Sequence, residues 1–236
     1  MKRKNLIICM ALISALSLSA CKAGTDSKST SDNNDAAKIL TEVKTTQFFT
    51  DENVANEDIE KILSAGINTP SAMNTQPWHF TAVTDKEVMQ KLSDAMKSMK
   101  PPAPPSGEKP GEAPKDAPKP PEGGAGFAKM PNKAGIGDAP LTIIVSCMEG
   151  SELDAGLAVQ NMSAAAQLSG YGTKIMTAPT MALNTDEYKE MLSVPEGHKI
   201  AAVLIVGKAA SEKDNPDAVS AATTRNDFDD MVTIIE

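Results

Sequence analysis

The sequence predicts an α+β domain carried behind an export signal, and three observations support that expectation. Leu141–Cys147 and Ile200–Val206 are short, continuous apolar runs rich in β-branched residues, the pattern of strands covered on both faces. Segments with apolar residues at helical spacing are interleaved with these runs and with a third strand candidate, Trp78–Val83. The chain opens with a basic tripeptide followed by an apolar stretch too short and too serine-rich for a comfortable membrane span.

That opening has Lys2, Arg3 and Lys4 before the apolar run Leu6–Leu18. It ends Leu18-Ser19-Ala20-Cys21, which resembles a bacterial lipobox, with small residues before a cysteine that would carry lipid. An ordinary signal peptide with a chance cysteine is the competing reading. Residues 1–20 are therefore expected to be a lipoprotein signal peptide, and 21–36 a lipidated Cys21 with a flexible tether that has almost nothing to bury. Residues 37–236 form the domain. The expected location is the cell envelope of a bacterium, outside the cytoplasm, held to a membrane by acyl chains.

Removing residues 1–20 takes away three positive charges and moves the net charge from −8 to −11. Such a chain is a poor partner for nucleic acid or for anionic lipid surfaces, so the membrane link is the lipid alone. Of three cysteines, Cys9 lies in the signal and Cys21 is the lipid site, which leaves Cys147 as a small buried hydrophobe without a disulfide partner. With two histidines, His79 and His198, and no paired cysteines, no dedicated metal site is expected. Nor is a Ser-His-Asp or Cys-His set credible, because both histidines read as structural.

Within the domain, Asn56 is placed to cap a helix with Glu57 and Asp58 in its first turn, an apolar stripe of Ile59, Ile62 and Leu63, and Gly66 at its end. The stretch Pro70-Ser71-Ala72-Met73-Asn74-Thr75-Gln76-Pro77-Trp78 follows. Its two prolines stiffen a polar loop whose donors and acceptors suit the edge of a planar heterocycle, although a plain turn has the same composition. Thr84-Asp85-Lys86-Glu87 reads as a capping box for a helix with Val88, Leu92, Ala95, Met96 and Met99 on one side. Residues 100–126 break the pattern: nine of the sixteen prolines fall between Pro101 and Pro121, in a segment of balanced charge. This is expected to be an extended insertion of polyproline character, either a bland loop or a partner-binding segment. A long helix over Ser151–Leu168 carries Ala155, Gly156, Ala158, Ala164, Ala165 and Ala166, small residues that suit either a dimer core or packing inside the domain. Thr185 is placed to start a further helix, and the apolar tail Asp227–Glu236 is expected to be covered.

The loop resembles the P-S-x-x-N-x-Q-P-W signature of the nitroreductase family, flavoenzymes that hold FMN at a homodimer interface. Phe49-Thr50-Asp51-Glu52-Asn53-Val54, Asp154–Met162 and Leu204-Ile205-Val206-Gly207 match further family segments in the right order, so the resemblance covers most of residues 40–236. It implies a three-layer fold with a central mixed sheet flanked by helices, and a homodimer in which the tail reaches across the partner. The family's Arg-x-Ser-x-Arg phosphate motif falls on Lys44, Thr45 and Gln47; the charge and hydroxyl are kept and the second cation is lost. Arg225 stands where the family places a late arginine. Pro70, Ser71, Ala72 and Asn74 fall on flavin-lining positions, and Thr177 and Ala178 where many members have a Gly-Gly or Glu-Gly pair beside the ring. The implied activity is reduction of a nitroaromatic, quinone or similar small-molecule acceptor by NAD(P)H through a ping-pong route. The competing implication is an exported flavoprotein driven by a partner. No G-x-G-x-x-G sits between a strand and a helix, and the family needs none, since nicotinamide and acceptor share one site.

Overall fold

The computed structural model describes residues 37–42, 45–98, 135–210 and 225–235. A helical stretch α1 covers residues 37–41. After it come α2 (Asn56–Ile67), a 3-10 turn (Ala72–Asn74), β1 (Trp78–Val83), α3 (Lys86–Ser98) and β2 (Leu141–Met148). The chain continues through α4 (Glu152–Leu168), β3 (Gly172–Met176), α5 (Thr180–Leu183), α6 (Asp186–Met191), β4 (His198–Gly207) and α7 (Phe228–Met231). The four described strands form one sheet in the order β1-β2-β4-β3, and all three pairings are antiparallel.

Strand alternation divides the core into two layers around this sheet. Leu141, Ile143, Val145 and Cys147 of β2, with Ala202, Leu204 and Val206 of β4, face α2 and α4, where Ile62, Val159 and Met162 complete the packing. Ile144 of β2 and Val203 and Ile205 of β4 face the other way, onto Met89 and Leu92 of α3 and onto Leu183 and Leu192. Both faces of β2 and β4 are therefore covered, which is why these two strands read as unbroken apolar runs. The result is the expected three-layer α+β architecture. The β2–β4 register shifts between Val145 and Ser146, so that Ser146 pairs Ile200 while Val145 pairs Ala202, and Ala201 is the extra residue of a β-bulge.

Several local expectations are corrected. The α2 helix is preceded by Ala55, not capped by Asn56, which is its first helical residue. Gly66 does not end that helix: it is buried inside it, and a Cβ there would lie 2.8 Å from Met162 Cγ and 3.0 Å from Phe80 Cε2. Its lack of a side chain lets α2 lie close to α4. At α3 the Thr84 capping box gives way to Asp85, whose Oδ1 accepts the Val88 N–H at 2.9 Å. The strand β3 and the short helix α5 had no expectation. The processing signal, Cys21, the tether and the proline-rich insertion lie outside the described residues. Among the described residues no helix is long and apolar enough to cross a membrane.

Candidate functional site

The predicted site residues fall into two groups on opposite sides of the sheet. The first is the loop joining α2 to β1. Met73, Asn74 and Gln76 all have left-handed backbones (φ 51°, 55° and 47°) although none is glycine. Each such residue costs of order 1 kcal/mol, so the loop must be over-determined by its surroundings. Its own hydrogen bonds do part of this. Ser71 Oγ accepts the Gln76 N–H at 2.9 Å, Ser71 O accepts the Asn74 N–H at 3.0 Å, and Ala72 O accepts from both the Thr75 N–H and its hydroxyl. The base of the loop is tied to the long helix: buried Thr69 accepts from Asn161 Nδ2 at 2.9 Å and donates to Ala65 O at 3.2 Å. Asn161 and Thr69 are positioning residues that the sequence did not reveal. Pro70, Ala72 and Asn74 are exposed and Ser71 is half-buried, so the loop offers its polar edge outward from a strained, fixed backbone.

The second group lies at the β3 edge. Residues 45–50 run extended along it: the Thr46 N–H donates to Thr173 O at 2.9 Å, the Thr50 N–H to Lys208 O at 2.9 Å, and Phe48 O accepts the Ala210 N–H at 3.0 Å. A Lys208–Glu52 ion pair closes the corner. Tyr171 pins the start of β3 to α2 through its hydroxyl, 2.9 Å from Asp58 Oδ2; Lys61 and this tyrosine hold the Asp58 carboxyl below the usual carboxylate range. Thr45 borders a hollow of about 240 Å³ beside Gln160, Ser163, Gln167 and Thr173. There the Ser163 and Thr173 hydroxyls are 2.8 Å apart, and Gln167 Nε2 donates to both at 3.2 Å.

Gln47 instead lines the largest described cavity, about 620 Å³, with Phe48, Phe49, Met96, Ile136, Met176 and Pro179 as its apolar wall. Gln47 is 8% exposed and its Oε1 has no hydrogen-bond partner. Thr177 and Ala178 are exposed between Met176 and Pro179 of that wall, with Thr177 O accepting from the Thr180 N–H and hydroxyl. Lys44 lies outside the described residues. Arg225 is exposed at the head of the tail.

Because β1 and β3 are the two edges, three strand spacings of about 4.8 Å put roughly 14 Å between the loop that enters β1 and the segment that leaves β3. One chain thus brings Gln47 together with the neighbours of Thr177 and Ala178, and it keeps Ser71 and Asn74 apart from them.

Other candidate chemistry drops out. Cys147 is fully buried, and burial pushes its thiol up, away from the nucleophilic thiolate. His198 is held below the usual histidine range by burial and by nearby His79, and each ring has a buried Nδ1 without a partner. Neither histidine lines the large cavity.

An antiparallel sheet covered on both faces, a strained polar loop at one edge and a flat-walled cavity at the other define a cofactor-dependent class of protein, not a side-chain hydrolase. The nitroreductase family profile matches residues 40–208, and the chain belongs to that family. A protein of Archaeoglobus fulgidus named as an NADH dehydrogenase/NAD(P)H nitroreductase is 43% identical over 58 residues, 25% of this chain and 33% of that relative. One of Methanothermobacter thermautotrophicus with the same name is 25% identical over 168 residues, 67% of this chain and 70% of its own length. The chain therefore spans only a third of the first relative's length and somewhat over two thirds of the second's. Among solved structures, a nitroreductase of Desulfitobacterium hafniense DCB-2 with bound FMN superposes with a TM-score of 0.61 at 21% identity, covering 86% of this chain and 99% of that one. One of Bacteroides fragilis, also with FMN, gives 0.60 at 21%, covering 86% and 100%. These likenesses establish the shared fold.

Proposed function

We propose that the chain is an FMN-dependent NAD(P)H oxidoreductase that works as a homodimer and passes electrons to a nitroaromatic, quinone or similar acceptor by a ping-pong route. The observation that carries this reading is the split site. A ligand that needs the Ser71–Asn74 edge and the Gln47 cavity together must draw them from two chains, since one chain holds them at opposite sheet edges. The unpartnered faces agree. Leu153, Leu157 and Leu168 on α4 are exposed, as are Phe228, Met231, Ile234 and Ile235 of the tail.

The residues present fit a flavin. The cavity has the size of a small-ligand site and an aromatic and thioether wall for a ring. The orphaned Gln47 amide offers a polar contact within that wall, and Thr45 with Lys44 supplies a hydroxyl and a charge for a phosphate. Bound FMN supplies the hydride and single-electron chemistry, which no side chain here provides. The chain's own part is positioning. Ser71 holds the loop, Asn74 presents its amide to the cofactor edge, and the apolar wall keeps water from the ring.

The test is the absorption spectrum of the purified protein, followed by anaerobic NADH or NADPH. A flavin spectrum bleached by nicotinamide and restored by a quinone is the expected result. Asn74→Ala should slow that cycle by roughly tenfold, the worth of a charge-assisted hydrogen bond, and weaken FMN binding less. Protein without flavin after reconstitution would defeat the reading. The signal segment favours a second reading, a partner-driven electron carrier, because reduced nicotinamides are scarce outside the cytoplasm. Stoichiometric FMN that nicotinamide does not reduce, yet which passes electrons to a quinone after chemical reduction, would select it.

We also propose that lipid on Cys21 holds the mature protein to a membrane. The basic, apolar, Leu-Ser-Ala-Cys order supports this. Cys21→Ala should block processing or release a soluble form in cell fractionation, whereas membrane-bound variant of normal mature size would contradict it.

A further inference from the structure

The walls of the large cavity carry an uneven set of polar groups. Asp51 and Asp138 both line it, and both are exposed to the solvent that fills it. Asp138 is fixed in place, its Oδ2 accepting the Gly135 N–H at 2.7 Å. The two carboxylates also border a smaller adjoining hollow of about 200 Å³, so they stand where the two spaces meet. The single basic residue in the lining of the large cavity is Lys97, which reaches Asp94 Oδ1 at 3.3 Å, a carboxylate that also accepts from Gln90. Ser93 is the one hydroxyl in the lining. The remaining polar side chain is Gln47, nine-tenths buried. Its Nε2 is directed at Thr45 O at 3.5 Å, and since that carbonyl can only accept, the free end of the amide is the oxygen. Among the described lining residues, two carboxylates and an amide oxygen thus stand against one lysine that is already paired.

We propose, resting on the oxidoreductase reading above, that this cavity selects neutral or cationic aromatic acceptors and discriminates against anionic ones. Phe48, Phe49, Met96, Met176 and Pro179 supply the flat apolar wall an aromatic acceptor needs. The charge preference follows from Coulomb's law in a space only partly screened by water, where a carboxylate on the ligand meets two on the wall. A cation meets the same two with the sign reversed. The cofactor phosphate does not conflict with this, because Thr45, its expected partner, borders the separate hollow on the α4 side.

The experiment compares three acceptors that differ in charge at the same position of one ring: 4-nitrobenzoate, 4-nitrobenzyl alcohol and 4-nitrobenzyltrimethylammonium. The full-length protein is loaded with FMN, and kcat/KM is measured at low and high salt. The expected result is at least a tenfold preference for the neutral and cationic compounds over the anion at low salt, shrinking as salt is raised. Asp51→Asn with Asp138→Asn should cut that preference to within about threefold, chiefly through the KM of the anion. Equal or better use of the anion by the wild type would overturn the inference while leaving the oxidoreductase reading intact. So would a preference that survives both the double substitution and high salt. A protein that binds FMN and reduces none of the three would overturn the inference and the enzyme reading together.

Discussion

Gly172→Ala should destabilise the domain by about 1–3 kcal/mol, the usual cost of overpacking, and should weaken FMN retention at least tenfold. A Cβ built at Gly172 would sit 2.2 Å from Thr46 Oγ1 and 2.9 Å from both Thr46 Cβ and Cγ2. Rotating the threonine moves its γ atoms but not its Cβ, so side-chain adjustment cannot clear the clash. The backbone must move instead, and the bond that yields is the one holding the segment to the sheet, Thr46 N–H to Thr173 O at 2.9 Å. Thr45 and Gln47 flank Thr46, so the displacement passes directly to both predicted cofactor contacts. Gly66→Ala is the contrasting case. Its nearest neighbours are Met162 Cγ and Sδ at 2.8 and 2.9 Å, atoms of a flexible side chain, and it touches no part of the site. It should lower the melting temperature without changing the flavin-to-protein ratio after dialysis. If Gly172→Ala leaves both the melting temperature and that ratio unchanged, the packing account of this corner is wrong.

The same corner shows what the sequence conveys and what it withholds. β2 and β4 announce themselves because both their faces are buried, so every residue from Leu141 to Val145 and from Ala202 to Val206 is apolar or a buried threonine. β3 is equally regular but sits at the sheet edge, is five residues long, opens on glycine and carries Lys174. Nothing in Gly-Thr-Lys-Ile-Met separates it from a loop. Helix ends were misread by a residue where two capping candidates stood side by side, Thr84 against Asp85 and Ala55 against Asn56. Gly66 was misread because close approach of two helices and a helix stop both favour glycine. For the site, the Ser71–Asn74 loop is contiguous in sequence and was legible by its motif. The cavity is not. Its wall is assembled from residues 47–51, the end of α3, the turn 135–138 and the end of β3, four segments whose adjacency exists only after folding. Gln47 was legible as a position, but its burial and its unpartnered oxygen were not.

Deleting residues 227–236 should convert the protein to a monomer and weaken FMN binding more than a hundredfold. In the single chain Phe228, Met231, Ile234 and Ile235 are between 66% and 93% exposed, a density of bare apolar side chains that a free segment does not keep in water. Fully burying each would contribute about 1.5–3 kcal/mol, so covering four gives roughly 6 kcal/mol or more for each tail, less the entropy of ordering it. The exposed leucines of α4, Leu153 at 77% and Leu157 at 44%, are a surface of the same kind on the rigid part of the fold. Loss of the tail therefore removes much of the association energy of the proposed dimer. The cofactor is lost for a separate reason: the strained loop at the β1 edge and the Gln47 cavity at the β3 edge are about 14 Å apart in one chain, and each monomer would keep only half the contacts. Light scattering after size exclusion reports the mass, and the flavin absorbance of the same peak reports occupancy. Both should fall together, and FMN occupancy should recover in part at high protein concentration as α4 contacts re-form the pair. A truncated chain that stays dimeric with a full complement of FMN would show that the tail holds neither. A full-length chain that is monomeric yet retains FMN normally would remove the split-site argument itself.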